Sequence, residues 1–162
     1  MEIKYTTIMK EAGYISLKPF FKDSIHIYEV VSRYLTEGII KPEDYHLTLM
    51  YDTRNPKVEF QTNHNSKVYK ATIKDIVKMG NFGEKWSAIA FELDAPEISS
   101  RHQELLSMGY KHSYPDFIPH LSIKYMYTEN DFLKIQDNKN NIISSIGEIL
   151  LTQETCEILK DD

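Results

Sequence analysis

The stretch Asp44-Tyr45-His46-Leu47-Thr48-Leu49-Met50-Tyr51 decides how this chain is read. Side chains in a strand alternate faces with a period of two, so His46 and Thr48 share one face while Leu47 and Leu49 turn to the other. The arrangement returns at Ile118–Tyr125, IPHLSIKY, with His120 and Ser122 in front and Leu121 and Ile123 behind. A lone His-x-Ser/Thr arises by chance about once in every couple of chains of this length. His64-Asn65-Ser66, in polar surroundings without apolar alternation, is one such instance. Two copies in matching strands point instead to a site.

The elements before each motif follow the same order. Gly13–Phe20, GYISLKPF, reads as a strand with Tyr14, Ser16 and Lys18 on one face and Ile15 and Leu17 on the other. Asp23 or Ser24 can cap a helix running to about Glu37, with the stripe Ile27, Val30, Val31, Tyr34 and Leu35 and a stop at Gly38. In the second half, Trp86–Asp94 is a strand. A helix follows with the stripe Ile98, His102, Leu105 and Leu106, stopping at Gly109, and a loop leads into the strand His120–Tyr127. Tyr14 and Trp86 lie 72 positions apart, Gly38 and Gly109 71, and His46 and His120 74. That consistency argues for two similar lobes, about residues 13–51 and 86–127, related by a pseudo-two-fold within one domain spanning 1–162.

Between the motifs, Asp52–Lys67 is polar and reads mainly as loop, and KVYKATIKDIVKMG gives one or two strands ended by Gly80 and Gly83. After the second motif TENDFLKIQD is helical, and IGEILLTQETCEIL is a final strand or strand pair. The class is α+β, with antiparallel or mixed sheets lining a central cleft and helices outside.

Composition narrows the function. A chain of 162 residues with 41% apolar and 12% aromatic content buries a core without staples. Its single cysteine, Cys156, leaves no internal disulfide and suits a reducing compartment. The first residues alternate charged and apolar without the apolar core of a signal peptide, and no run approaches the roughly 20 apolar residues of a membrane helix. The expectation is a cytoplasmic protein with no membrane partner. A net charge of −5 disfavours a long nucleic acid, whose phosphates demand a basic face, but leaves room for a small phosphate-bearing ligand. No His-Glu-x-x-His or Cys-x-x-Cys spacing is present, and hydroxyls are poor zinc ligands, so neither a metal nor a cofactor is expected. His26, His102 and His112 fall outside the motifs and read as structural or surface residues.

If the lobes face each other, His46, Thr48, His120 and Ser122 converge. Two histidines titrate near neutrality, so one can take a proton while the other gives one. The hydroxyls are short donors suited to phosphate oxygens. This is equipment for cleaving a phosphodiester without a metal.

The paired His-x-Thr/Ser strands resemble those of the two-histidine phosphoesterase superfamily, which includes the LigT-like RNA phosphodiesterases. GYISLKP, YHLTLMY, an intervening tryptophan, PHLSIKY and GEILLT, in that order, are most similar to the phage anti-CBASS phosphodiesterases. Those enzymes destroy the cyclic di- and trinucleotide messengers of bacterial CBASS immunity, such as 3′,3′-cGAMP. The resemblance implies a cyclic oligonucleotide substrate and, for a phage-encoded chain, the host bacterial cytoplasm. It implies that Tyr14 and Trp86 contact nucleobases and that Glu148 recognises adenine. Ser122 stands where threonine is common, which keeps the hydroxyl. Lys18 and Lys124, on the motif-facing sides of their strands by simple alternation, are further candidates for attracting phosphate. The alternatives are a LigT-like enzyme acting on RNA 2′,3′-cyclic ends and a protein that sequesters a nucleotide without cutting it.

Overall fold

The computed structural model describes residues 7–61, 65–80 and 83–160. His64 of the isolated His-x-Ser, and residues 1–6 of the N-terminal reading, lie outside them. The elements in chain order are β1 (Thr7–Glu11), β2 (Tyr14–Pro19), α1 (Phe21–Val31), a 3-10 turn (Pro42–Asp44), β3 (Leu47–Tyr51), β4 (Lys57–Gln61), β5 (Tyr69–Met79), β6 (Ala88–Asp94), α2 (Pro96–Ser107), β7 (His120–Tyr125), α3 (Glu129–Asp137), α4 (Lys139–Ile146) and β8 (Glu148–Glu157). No helix among the described residues is long and apolar enough to cross a membrane.

Six strands form one sheet in the order β3-β2-β8-β5-β6-β7, and β1 and β4 form a separate two-stranded sheet. Every strand pairing among the described residues is antiparallel, so the α+β class holds there without a mixed sheet. The order reads symmetrically: β2-α1-β3 occupies one end, β6-α2-β7 the other, and β8 with β5 joins them. The two motif strands are therefore the two edges. The sheet curls until these edges approach each other, and Ile40 donates its amide to the Ile123 carbonyl at 2.8 Å.

One apolar core explains the curl. Leu47, Leu49, Leu121 and Ile123, behind the motif residues, are fully buried, as are Ile27, Val30 and Val31 of α1 and Ile98 and Leu105 of α2. Each such side chain contributes about 1.5–3 kcal/mol when fully removed from water. Arg101 of α2 is buried with Glu154 of β8 in a two-pronged pair, Nε to Oε1 at 2.8 Å and Nη2 to Oε2 at 2.9 Å, and it also meets Glu104. Behind β3, Gly13 lies so close to Asp52 that an added Cβ would sit 2.0 Å from the Asp52 carbonyl oxygen. The Asp52 carboxylate accepts from the Arg54 guanidinium and from the Lys111 amide, which together hold its pKa down to about 2. It thereby ties the end of β3 to the loop that leads into β7.

The structure departs from the sequence reading at several elements. Asp52–Lys67 holds β4, whose Val58 and Phe60 are buried and face Lys10 and Ile8 of the exposed strand β1. α1 begins at Phe21, before Asp23, because the Asp23 carboxylate accepts from the Leu150 amide at 3.0 Å and is not a cap. It ends at Val31, short of Glu37, although Leu35 still packs into the core. The final segment is the single strand β8, kinked at Gln153, where φ is +57°. α4, absent from the sequence reading, precedes it. α3 carries the capping box of Thr128 and Asp131.

Candidate functional site

The two motif histidines are held in the same way. The Nδ1 of His46 lies 3.0 Å from the Asp44 carbonyl oxygen, and the Nδ1 of His120 lies 2.8 Å from that of Ile118. A carbonyl only accepts, so in both rings Nδ1 carries the hydrogen and Nε2 is left to exchange protons. The rings are close enough that charge on His46 disfavours charge on His120. Burial, assisted by that repulsion, pushes the His120 pKa below its ordinary value.

The registers beside the motifs explain what else reaches them. On β2 and β3, Tyr14 faces Tyr51, Ile15 faces Met50, and the register then slips so that Ser16 faces Thr48. Leu49 is thus the extra residue of a β-bulge. The slip puts Thr48 and Tyr51, three positions apart, on the face of Tyr14. On β6 and β7, Ala88 faces Tyr125, Ile89 faces Lys124, and after a slip Ala90 faces Ser122. Here Ile123 is the extra residue, at the position matching Leu49. Each motif is therefore His-x-Thr/Ser-x-x-Tyr in space, with all three polar groups on one face.

Hydrogen bonds and rings knit these residues together. The Tyr14 phenol lies 3.2 Å from the Thr48 hydroxyl, and Tyr125 shares the face of Ser122. Tyr14 also meets the rings of His46 and Tyr51 edge-on, each at 6.3 Å. Trp86, 62% exposed, meets Tyr125 edge-on at 5.6 Å, with the Lys85 ammonium 5.0 Å over its indole. Burial raises the pKa of the Tyr14 and Tyr125 phenols, which keeps them neutral donors. The arrangement suits one anion carrying several acceptor oxygens, bordered by aromatic faces.

The sequence profile of the family described as Anti-CBASS protein Acb1 matches residues 11–162. The chain belongs to that family. A relative named Anti-CBASS protein Acb1, from Vibrio phage KVP40, is 26% identical over 86 residues, covering 53% of this chain and 54% of the relative. The chain thus matches about half the length of that relative.

In this Acb1-family chain the remaining candidates fall in different places. The structure brings Tyr14, His46, Thr48, His120 and Ser122 together and sets Trp86 at their margin. Trp86 is not the register counterpart of Tyr14, as the 72-residue spacing implied. That place belongs to Ala88, and Trp86 lies ahead of the strand. Lys124 is turned away from the motif face, because the bulge at Ile123 breaks the alternation. It is buried, its Nζ 2.7 Å from an Asp131 carboxylate oxygen. Lys18 is exposed and donates to the Glu43 carbonyl at 3.4 Å, beside a cavity lined by Phe21, Lys22, Pro42 and Tyr45. Glu148 is exposed at the first position of β8, paired with Thr72 of β5. The late acid set beside Tyr14 is instead Glu157, its cross-strand partner.

Sequence reasoning missed Tyr51, Tyr125 and Glu157. For the tyrosines the signal was there, since both motifs read His-Leu-hydroxyl-x-x-Tyr. It also left His102 and His112 without a part in the site. His102 donates Nδ1–H to the carbonyl of Leu49, the bulged residue, at 2.7 Å. It stacks on Phe117 at 3.9 Å and meets His112 edge-on, and His112 Nδ1 accepts the Tyr51 amide at 3.2 Å. The two histidines clamp the bulge that turns Tyr51 onto the site face.

Proposed function

We propose that this Acb1-family chain cleaves 3′–5′ phosphodiester bonds of cyclic di- or trinucleotide messengers such as 3′,3′-cGAMP by a metal-independent reaction, and so blocks CBASS defence in the host bacterium's cytoplasm. The observation that carries this reading is the pair of histidines with Nδ1 fixed on carbonyls, beside hydroxyls suited to a phosphate. Family membership supports it.

Two neighbouring histidines repel each other's charge, which favours a pair sharing one proton. His120, whose charged form burial disfavours, takes the proton of a ribose 2′-hydroxyl through Nε2. The 2′-oxygen attacks the adjacent phosphorus, and the bond to the 5′-oxygen breaks. His46, bearing the proton on Nε2, delivers it to that leaving oxygen. The products are a linear nucleotide ending in a 2′,3′-cyclic phosphate and two histidines with exchanged protons. A water molecule attacking through the reverse proton traffic then gives a 3′-phosphate. Thr48 and Ser122 donate to the non-bridging oxygens as charge builds on them. Tyr14 and Trp86 offer faces for base stacking, worth about 1–3 kcal/mol per base, and Glu157 is the carboxylate suited to an adenine amino group.

The test is incubation of the protein with 3′,3′-cGAMP in excess EDTA, followed by chromatography and mass spectrometry. A linear product with a 2′,3′-cyclic or 3′-phosphate end supports the reading. Intact messenger overturns it, and then turnover of RNA bearing a 2′,3′-cyclic end, or tight binding of 3′,3′-cGAMP alone, identifies the alternative.

A further inference from the structure

Each motif ends in a tyrosine, and each of those tyrosines touches a further, mostly exposed aromatic ring. In the second half Tyr125 meets Trp86 edge-on at 5.6 Å. In the first half Tyr51 meets Tyr114, with ring centres 5.3 Å apart and planes tilted by 40°. The two further rings come from unrelated places, Trp86 from ahead of β6 and Tyr114 from the loop into β7, yet Tyr114 is 57% exposed, much as Trp86 is. Rings thus follow one another from His46 to Tyr14 and from Tyr14 to Tyr51, at 6.3 Å each, and on to Tyr114.

Backbone bonds hold the Tyr114 segment in place. Ser113 donates its amide to the Tyr51 carbonyl at 2.7 Å, and the Tyr51 amide donates to His112 Nδ1 at 3.2 Å, so the loop lies along the edge strand β3. The Thr53 amide donates to the Ser113 hydroxyl at 3.2 Å, and Pro115 disfavours helical backbone at Tyr114. A mostly exposed ring adds little to the core. A flat ring already fixed beside a phosphate site loses little freedom when a base stacks on it.

We propose that Tyr114 is a substrate-binding residue, its ring stacking on the nucleobase that enters the first half of the site as Trp86 does in the second. A cyclic oligonucleotide projects its bases outward from the ring that carries its phosphates, so a site gripping one phosphate between two halves meets a base on each side. Tyr14, half-buried and 3.2 Å from the Thr48 hydroxyl, borders the first of these bases on the phosphate side. The inference rests on the cyclic-messenger reading above and adds to it a residue from a loop outside both motifs.

The experiment is steady-state kinetics of Tyr114→Ala and Tyr114→Phe on 3′,3′-cGAMP, with thermal melting of each protein. Tyr114→Ala is expected to raise KM by about 5- to 150-fold, the equivalent of one lost stack, and to change kcat less than about 3-fold. Tyr114→Phe keeps the ring and is expected to hold KM within about 3-fold of the wild type. A smaller rise in Tyr114→Ala, or a rise in Tyr114→Phe as large as that in Tyr114→Ala, overturns the proposal. A loss confined to kcat assigns Tyr114 to holding Tyr51 and overturns it too. Should Tyr114→Ala not melt cooperatively, Tyr114→Leu, which fills the space against Tyr51 without a flat face, is judged by the same criteria. If the wild-type protein binds 3′,3′-cGAMP but does not cut it, the cleavage reading falls by itself and the same ratios are read in Kd. A wild-type protein that neither binds nor cuts the messenger overturns both.

Discussion

Replacing His102 by Phe removes one hydrogen bond and leaves the rest of the clamp behind Tyr51 in place. His102 is 3% exposed, and its Nδ1–H is the donor to the Leu49 carbonyl at 2.7 Å. Without it that buried carbonyl loses its imidazole partner, at a cost of about 1–3 kcal/mol. His102→Leu also discards the stack on Phe117, about 0.5–1.5 kcal/mol more, so that variant should lose about 1.5–4.5 kcal/mol. Because Leu49 is the bulged residue, both variants should also loosen Tyr51 and lower turnover.

The clamp has a pH signature. Burial holds His102 and His112 below the ordinary histidine pKa. The neighbouring His102 lowers His112 further, while Asp52 acts in the opposite sense. In the unfolded chain these rings take up protons near pH 6.5. Below that pH the unfolded state binds more protons than the folded one, so their contribution to stability is full above about pH 6.5 and is lost as the pH falls. Urea unfolding from pH 7.5 to 5.5 should show stability dropping in the wild type and a shallower drop in His102→Phe. A His102→Phe protein with wild-type stability and an unchanged pH slope would refute the clamp.

Three further outcomes follow. Glu154→Gln leaves the Arg101 charge buried without its full counter-charge and should cost about 3–5 kcal/mol in chemical denaturation, whereas an exposed pair would cost under about 1 kcal/mol. Trp86→Ala should raise KM for 3′,3′-cGAMP by roughly 5- to 150-fold, the equivalent of one lost base stack, with no change in melting temperature because the ring is exposed. Lys124→Met should keep kcat/KM within about 3-fold, since its ammonium pairs with Asp131 away from the histidines. A loss beyond about tenfold in a folded protein would return Lys124 to the site.

The core of the site was legible because one rule, period-two alternation, holds from His46 to Thr48 and from His120 to Ser122. The same rule fails at the next residues. Bulges at Leu49 and Ile123 flip Tyr51 and Tyr125 onto the site face and Lys124 off it, and a bulge depends on the neighbouring strand's register. Trp86 was paired with Tyr14 for a similar reason: sequence spacing counts residues, whereas Ala88 wins the place through hydrogen bonds to β7. Glu157 lies beside Tyr14 only because β8 pairs with β2 across most of the chain length, a long-range contact that no local pattern reports. The sheet β1–β4 was hidden by its polar composition. The alternation of Val58 and Phe60 was present, but its partner strand is exposed throughout. Repeated order and strong helical stripes, by contrast, were enough to bring out α1, α2 and the α+β class.

The central claim is that His46 and His120 share one proton-transfer cycle. The most direct test measures kcat/KM for 3′,3′-cGAMP with His46→Ala, His120→Ala and the double variant, after confirming that each protein melts like the wild type. The account predicts a loss of about 10²–10⁴-fold for each single change, with the double variant little worse than the weaker single one. Either single variant retaining turnover within tenfold of wild type would contradict it.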